Sequence, residues 1–519
     1  MKAFYKYIRE SISLWFVVLL LALFSHGTML LGRSIGIDTE DIITLQDAFY
    51  GEWVSMGRQG LVLLKLLLGT RVFNPAFTGV MTLLFLAGAC SLWNYLFYQV
   101  TGRKNQTASL VFSVLLTVSP LLTEQLYFKL QAMEMTLGFC MMAVSLLLVY
   151  YAAIDGDKKK KCAYLVASVV LNIILFSLYQ AMVPLFLFGA AACFFLCCFV
   201  REKAEPDVLR RMGILYSAVF LGSFVLNQVI TAVWFSSGAG YLTGQVRWFT
   251  QSFKDCLINI YWHVRAVGLG QGLYYSKLYP AGCLFLAVIV FGTVRKKQEK
   301  FTIRLGGVLS LLLVMAAPFY MTVLCAVEPV MRSQMVMPFA LAFVAYAVIL
   351  CLEDKRSFVK DKQSFMCTVF LLLCVAAGYA QLKATMQLNY TDTVRYESDV
   401  RIAEAIMDEL NLLEDSVHSY PVVFVGKHAA ELNHSCVKGD TIGYSFFEWD
   451  ADVEPCGFYS TRRIVGFMHT LGGNYVQGNA EQVVMAAEYS KDMADWPMQG
   501  SIALHDGCII VRLSDVRSK

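Results

Sequence analysis

The chain has 519 residues, 57% hydrophobic and 16% charged, with a formal net charge of +4 and a mean hydropathy of +0.56. Soluble domains carry roughly a quarter charged residues, so the deficit excludes an ordinary soluble protein. A charge of +4 over this length gives no basis for a nucleic-acid partner.

Apolar windows of roughly 18–25 residues, long enough to cross a bilayer, recur about eleven times. They lie near 11–31, 74–98, 107–123, 133–152, 162–179, 182–200, 212–235, 278–294, 305–325, 335–352 and 364–382. Only Tyr179-Gln180 and Pro184 divide the fifth window from the sixth. The expected fold is an α-helical polytopic membrane protein with about eleven transmembrane helices over residues 1–385. Residues 386–519 are expected to form a small C-terminal α/β extracytoplasmic domain. The first span starts basic but has no small-residue cleavage pattern after it, and reads as an uncleaved signal anchor.

With the N-terminus in the cytoplasm, alternate connections hold 22 Lys and Arg on the inside and ten on the outside. That bias supports an odd number of spans and an outer C-terminus. The long outer connections are 32–73 and 236–277. In the first, three carboxylates fall within four positions, Asp38, Glu40 and Asp41. Ionisable groups beside a lipid-embedded segment are costly unless they act. An ionised carboxylate there can accept a proton from a sugar hydroxyl; alternatively Asp38 or Thr39 simply caps a short helix over Glu40–Tyr50. Arg58, in Gly57-Arg58-Gln59-Gly60, and Arg332, in a very short outer loop, suit a lipid phosphate or snorkel at the interface. Leu61–Leu68 is too short to span and reads as a surface or re-entrant helix.

The second long connection mixes Tyr241, Trp248, Tyr261, Trp262, Tyr274 and Tyr275 with Arg247, Lys254 and Arg265. These aromatics fit an interfacial belt, and Arg247 is a weaker phosphate candidate. Glu124, Lys129 and Glu134 flank a short loop and read as structural. In the tail, Val400–Leu413 has helical periodicity, Pro421–Gly426 reads as a buried strand, and Ile464–Leu471 and Ala480–Tyr489 as helices. Ser501–Leu504 and Cys508–Leu513 form a hairpin about His505-Asp506-Gly507. Arg462, Arg463 and His469 read most simply as surface residues. Cys436, Cys456 and Cys508 permit three single bridges. No Walker A, Gly-x-Ser-x-Gly or His-Glu-x-x-His motif is present.

The run Asp38-Thr39-Glu40-Asp41, then Trp53, then Gly57-Arg58, resembles the acidic pair, Trp and Gly-Arg of bacterial type II O-antigen glucosyltransferases. These are the serotype-converting Gtr-type enzymes; where the family often has two adjacent Asp, this chain has Glu40-Asp41. The resemblance implies a GT-C membrane glycosyltransferase that moves a hexose, glucose in most members, from a polyprenyl-phosphate donor to a surface glycan acceptor outside the bacterial plasma membrane. It further implies Asp41 or Glu40 as the catalytic base, Arg58 and, less specifically, Arg332 as donor-phosphate ligands, and Trp53 as substrate-binding; Asp38 lies off the matching pair but completes the candidate catalytic trio, and Arg247 is a phosphate candidate by charge alone. No cofactor or metal is implied, and a separate enzyme and flippase would supply the donor. A polymerase or ligase of lipid-linked glycans, or a flippase or transporter, are the alternatives; the scarcity of charge within the spans weighs against the last.

Overall fold

The computed structural model describes residues 2–201, 205–235, 246–296, 301–353, 363–413, 419–453 and 457–515. Cys456, Tyr241 and the basic positions Lys203, Lys297, Lys300, Lys355, Arg356, Lys360 and Lys362 lie outside the described residues.

Among the described residues, nine helices are long and apolar enough to cross a membrane. They are Ile12–Leu31, Pro75–Thr101, Lys129–Ile154, Lys158–Leu178, Met182–Phe199, Pro206–Trp234, Ile303–Cys325, Val336–Glu353 and Ser364–Asn411. A further pair, Gln106–Thr117 and Pro120–Tyr127, bent by 50°, is apolar enough to make a broken span or a re-entrant loop. Pro120 explains the bend, since it lacks an N–H and disfavours helical backbone at Ser119. The remaining apolar window, near 278–294, falls on a shorter helix, Leu278–Thr293. The chain is a polytopic helical membrane protein. Tyr179 is extended (φ −160°, ψ 135°), which keeps Lys158–Leu178 and Met182–Phe199 as two helices.

The fold divides into two compact units. The first comprises Met1–Leu31, Gly51–Leu126 and Gln131–Met386. Its hub is Val336–Glu353, apolar on every face and almost wholly buried, as expected of a helix with no polar stripe. Phe339, Phe343 and Tyr346 of this helix pack on Trp93, Phe97, Phe188 and Phe195. By contrast Pro206–Trp234 leaves Leu221, Val225, Val229 and Val233 exposed, a surface suited to lipid.

The second unit comprises Gly32–Tyr50, Tyr127–Leu130 and Gln387–Lys519. Its sheet has the order β2-β1-β4-β3, where β1 is Pro421–Val425, β2 Val476–Gln477, β3 Ile502–His505 and β4 Cys508–Arg512. Strand β1 pairs parallel with β2 and β4, Val422 opposite Gln477 and Ile509; β3 and β4 are antiparallel. The hairpin turns at Asp506 (φ 45°) and Gly507 (φ 68°), the two positive φ values that a tight turn between twisted strands requires. Alternation along β1 feeds both faces. Val422 and Phe424 pack with Ile464, Phe467 and Met468 of helix Phe458–Thr470, while Val423 and Val425 pack with Val483 and Ala486 of helix Ala480–Tyr489.

Three expectations need correction. Val400–Leu413 is no separate helix but the end of a continuous helix, Gln363–Asn411, whose sequence after Gly378 contains neither Gly nor Pro to stop it. The helix expected over 464–471 begins at Phe458, after Gly457 (φ 95°), and so takes in Arg462 and Arg463. The helix expected over 40–50 is two, Thr39–Thr44 and Gln46–Ser55, broken at Leu45 (φ −128°, ψ 38°).

Candidate functional site

Within the second unit, the segment Gly32–Ile37 is tied down by its backbone. The buried Lys129 ammonium donates to the carbonyls of Gly32 (2.9 Å) and Ser34 (2.6 Å). Arg395, also buried, donates to the carbonyl of Ile35 (2.8 Å) while pairing with Asp392 and with Asp399 (3.2 Å). Gly36 lies against the Tyr127 ring, where a Cβ would come within 2.6 Å. The chain then turns through Asp38, whose φ of 69° is left-handed, into helix Thr39–Thr44. Asp38 occupies the N-cap position but its side chain makes no cap hydrogen bond, so the capping reading does not hold.

The Asp38 side chain goes instead to helix Phe458–Thr470. Arg463 Nη1 binds Asp38 at 2.9 Å and Glu40 at 3.1 Å, and its Nε binds Asp450. Next to it, Arg462 grips Asp41 through two bonds, Nε to Oδ1 at 3.2 Å and Nη2 to Oδ2 at 3.1 Å. The two arginines read as surface residues are therefore part of a charged cluster, with Arg463 only 17% exposed. Their signal lay in the sequence, as a basic pair followed at once by the apolar positions Ile464, Val465, Phe467 and Met468. Nothing local marked Asp450 (φ 57°) as their partner.

The three carboxylates differ in setting. Glu40 is fully buried, its Oε2 has no hydrogen-bond partner, and burial pushes its carboxyl up to about 8. Arg463 opposes that rise, and Asp38 and Asp41 add to it. Asp41 is also raised by burial, with Arg462 and then Arg463 pulling it back. Its side chain keeps 8% exposure and that of Asp38 keeps 32%, whereas Glu40 keeps none. The helices approach closely at Gly466, where a Cβ would lie 3.2 Å from Glu40 Cγ, tighter than ordinary contact.

The other sequence-selected residues lie in the membrane unit. Arg58 starts helix Gln59–Leu67, and its N–H donates to the carbonyl of Trp53 at 2.8 Å. Its guanidinium lies over the Tyr179 ring, 5.0 Å from the centroid, and its buried Nε has no hydrogen-bond partner. Gln180 donates to the carbonyl of Met56 (3.3 Å), so the turn around Gly57 rests on the break between two membrane helices. Trp53 is 2% exposed, with the Lys65 ammonium 5.9 Å from its ring centroid. Lys65 in turn pairs with Glu134 at 2.9 Å, both side chains buried. Helix Gln59–Leu67 buries Leu61, Leu64 and Lys65 and exposes Leu63, Leu66 and Leu67.

Arg332 sits in a 3-10 turn, Met331–Ser333, beside a polar network that sequence reading missed. There the Tyr275 hydroxyl, with one proton to give, lies 2.6 Å from Glu328 Oε1 and 3.0 Å from Gln334 Oε1, and His263 reaches Tyr275 (3.0 Å) and Thr322 (2.7 Å). Tyr274 donates to Glu124. Thus Tyr274 and Tyr275 serve carboxylates, while Tyr261 and Trp262, exposed on helix Phe253–Leu269, fit an interfacial belt. Arg247 is exposed on a separate 3-10 turn. The structure thus gathers the acidic trio into one cluster and leaves Arg58, Arg332 and Arg247 on three different segments.

The chain is thus a multi-pass helical membrane protein with carboxylates gathered on its first long loop. Residues 27–352 match the family model described as glucosyl transferase GtrII. The chain belongs to this GtrII glucosyl transferase family, and the match runs from the end of the first membrane helix through Arg332. No curated protein and no solved structure matches the chain.

Proposed function

We propose that the protein transfers glucose from a polyprenyl-phosphate donor to a surface glycan on the outer face of the bacterial plasma membrane. The observation that carries this reading is the buried acidic cluster on the first long loop of a GtrII-family chain, with Asp41 gripped side-on by Arg462. In the reaction, an acceptor hydroxyl gives its proton to the Asp41 carboxylate. Its oxygen bonds to the anomeric carbon as that carbon's bond to the phosphate oxygen breaks, and the electron pair leaves with the polyprenyl phosphate. Direct attack of this kind inverts the anomeric configuration. Desolvation favours such a base, because a carboxylate raised toward neutrality takes a proton more readily. Glu40 has no exposure and serves the field around Asp41 rather than the acceptor.

In the membrane unit, Arg58 is the foremost donor-phosphate ligand. A guanidinium stacked on Tyr179, with an unsatisfied buried Nε, has unused capacity for phosphate oxygens. Arg332 is assigned the same task, where charge develops on the leaving phosphate, and Arg247 a peripheral one. Trp53 acts through its carbonyl and its buried ring, which fix the turn that carries Arg58. The Lys and Arg bias places the N-terminus in the cytoplasm and the tail outside. The deciding experiment incubates purified protein with a panel of polyprenyl-phosphate sugars and a glycan acceptor, and measures release of lipid phosphate. Acceptor-dependent release from the glucose donor is expected; release from none of the panel would refute the donor class.

A further inference from the structure

Both faces of the charged cluster bear on how Asp41 is presented. Arg462 meets it through two parallel bonds, the planar fork-to-carboxylate geometry that fixes direction as well as charge. Arg463 is divided among Asp38, Glu40 and Asp450. Two of those three, Asp38 and Asp450, have left-handed backbone, a conformation uncommon outside glycine but one that Asp tolerates better than most residues. Both turns are tied to the same guanidinium. Gly466, one turn further along, lies under the acidic loop, where a Cβ would come 3.2 Å from Glu40 Cγ.

We infer that Arg462 and Arg463 are positioning residues for glucosyl transfer: Arg462 fixes the direction and charge of the Asp41 carboxylate, and Arg463 locks the left-handed turn from which Asp41 extends. The inference rests on Asp41 being the base. Neither arginine lies within the stretch matched by the family model, so nothing in that match assigns them a role.

The groups facing Asp41 are Asp38 and Glu40 from its own loop and Arg462 and Arg463 from helix Phe458–Thr470, with Asp450 acting through Arg463. Without Arg462, burial and the neighbouring carboxylates act against a weaker cationic counterweight, and Asp41 holds its proton to higher pH. A base works deprotonated, so the acid limb of kcat/KM moves upward.

The test uses full-length protein in proteoliposomes with a polyprenyl-phosphate glucose donor and a glycan acceptor, and records pH–rate profiles. Arg462→Gln is expected to shift the acid limb up by about one pH unit or more, a roughly tenfold loss on that limb that recovers in alkali. Arg462→Lys keeps the charge but not the fork; its limb stays near the wild-type position while kcat falls. Uniform loss at every pH in Arg462→Gln, with the limb unmoved, would overturn the inference. Should Arg462→Gln fail to accumulate, Arg462→Lys decides, and wild-type kcat in it counts against a positioning role. Asp41→Asn in the same assay separates the two claims. Full activity there removes Asp41 as base, whereas an impaired Asp41→Asn beside an unmoved Arg462→Gln limb removes the positioning role alone.

Discussion

Asp41 and Glu40 are neighbours in sequence but not in environment, and that difference assigns their effects. Asp41→Asn keeps size and most hydrogen bonding but cannot take a proton, so transfer is expected to fall by about 100-fold or more with normal membrane insertion. Asp38→Asn should do less, because Asn tolerates the same left-handed backbone and only one contact to Arg463 is weakened. Acceptor-dependent turnover by the three amide variants, including Glu40→Gln, measures this order; full activity in both Asp41→Asn and Glu40→Gln would leave the loop a structural clamp. The phosphate side is tested separately. Arg58→Ala and Arg332→Ala each remove a charge-assisted contact, expected to cost on the order of 1.5–3 kcal/mol, tenfold or more in donor recognition. Lys at either position should rescue only in part, since it lacks the planar fork. Wild-type donor kinetics in both alanine variants would take these residues out of the reaction. The acidic trio was legible because carboxylates beside a lipid-length helix are costly. Arg462 was not, because a guanidinium that is paired across 421 positions looks locally like any surface charge.

At the scale of elements, the turn that carries Arg58 depends on close packing of helix Gln59–Leu67 against helix Lys158–Leu178. A Cβ on Gly60 would lie 2.4 Å from the carbonyl oxygen of Ile174 and 2.9 Å from the backbone nitrogen of Leu178. Backbone cannot step aside as a flexible side chain can. Gly60→Ala should therefore push the short helix outward, costing about 1–3 kcal/mol as overpacking usually does. It should also displace Arg58, so donor KM rises along with the loss of thermal stability in detergent; an unchanged melting temperature and KM would show that the turn is not seated on that helix. Elements of this kind were partly legible. Membrane helices announce themselves by length and apolarity, and β1 by an unbroken apolar run. Strand β2 did not, because Val476–Gln477 is two residues long and its place follows from parallel pairing with Pro421–Val422, not from any local pattern. The start of helix Phe458–Thr470 was missed because Phe458-Tyr-Ser-Thr461 has no apolar periodicity; Gly457 in left-handed backbone sets it.

For the molecule as a whole, the second unit constrains how often the chain crosses the bilayer. Its segments Gly32–Tyr50, Tyr127–Leu130 and Gln387–Lys519 pack as one body, so all three lie on one side. An even number of crossings must then separate each from the next. Between Tyr50 and Tyr127 stand Pro75–Thr101 and the bent pair, so the same parity predicts that the pair traverses the membrane as one broken span. Between Leu130 and Gln387, seven long helices leave an odd count unless Leu278–Thr293 crosses too. Its length is marginal, but the parity predicts that it crosses, which would make eleven spans among the described residues. Charge bias predicts which side is which: the connections between spans hold 22 Lys and Arg in one alternating set and ten in the other, and the positive-inside rule makes the richer set cytoplasmic. Reporter fusions after Asp157 and after Asp515 should accordingly report opposite sides, cytoplasmic and external, and a fusion after Gln271 should agree with the one after Asp515. If the fusions after Gln271 and Asp515 disagree, Leu278–Thr293 does not cross, and the packing of the first long loop with the tail could not exist in the membrane-inserted protein.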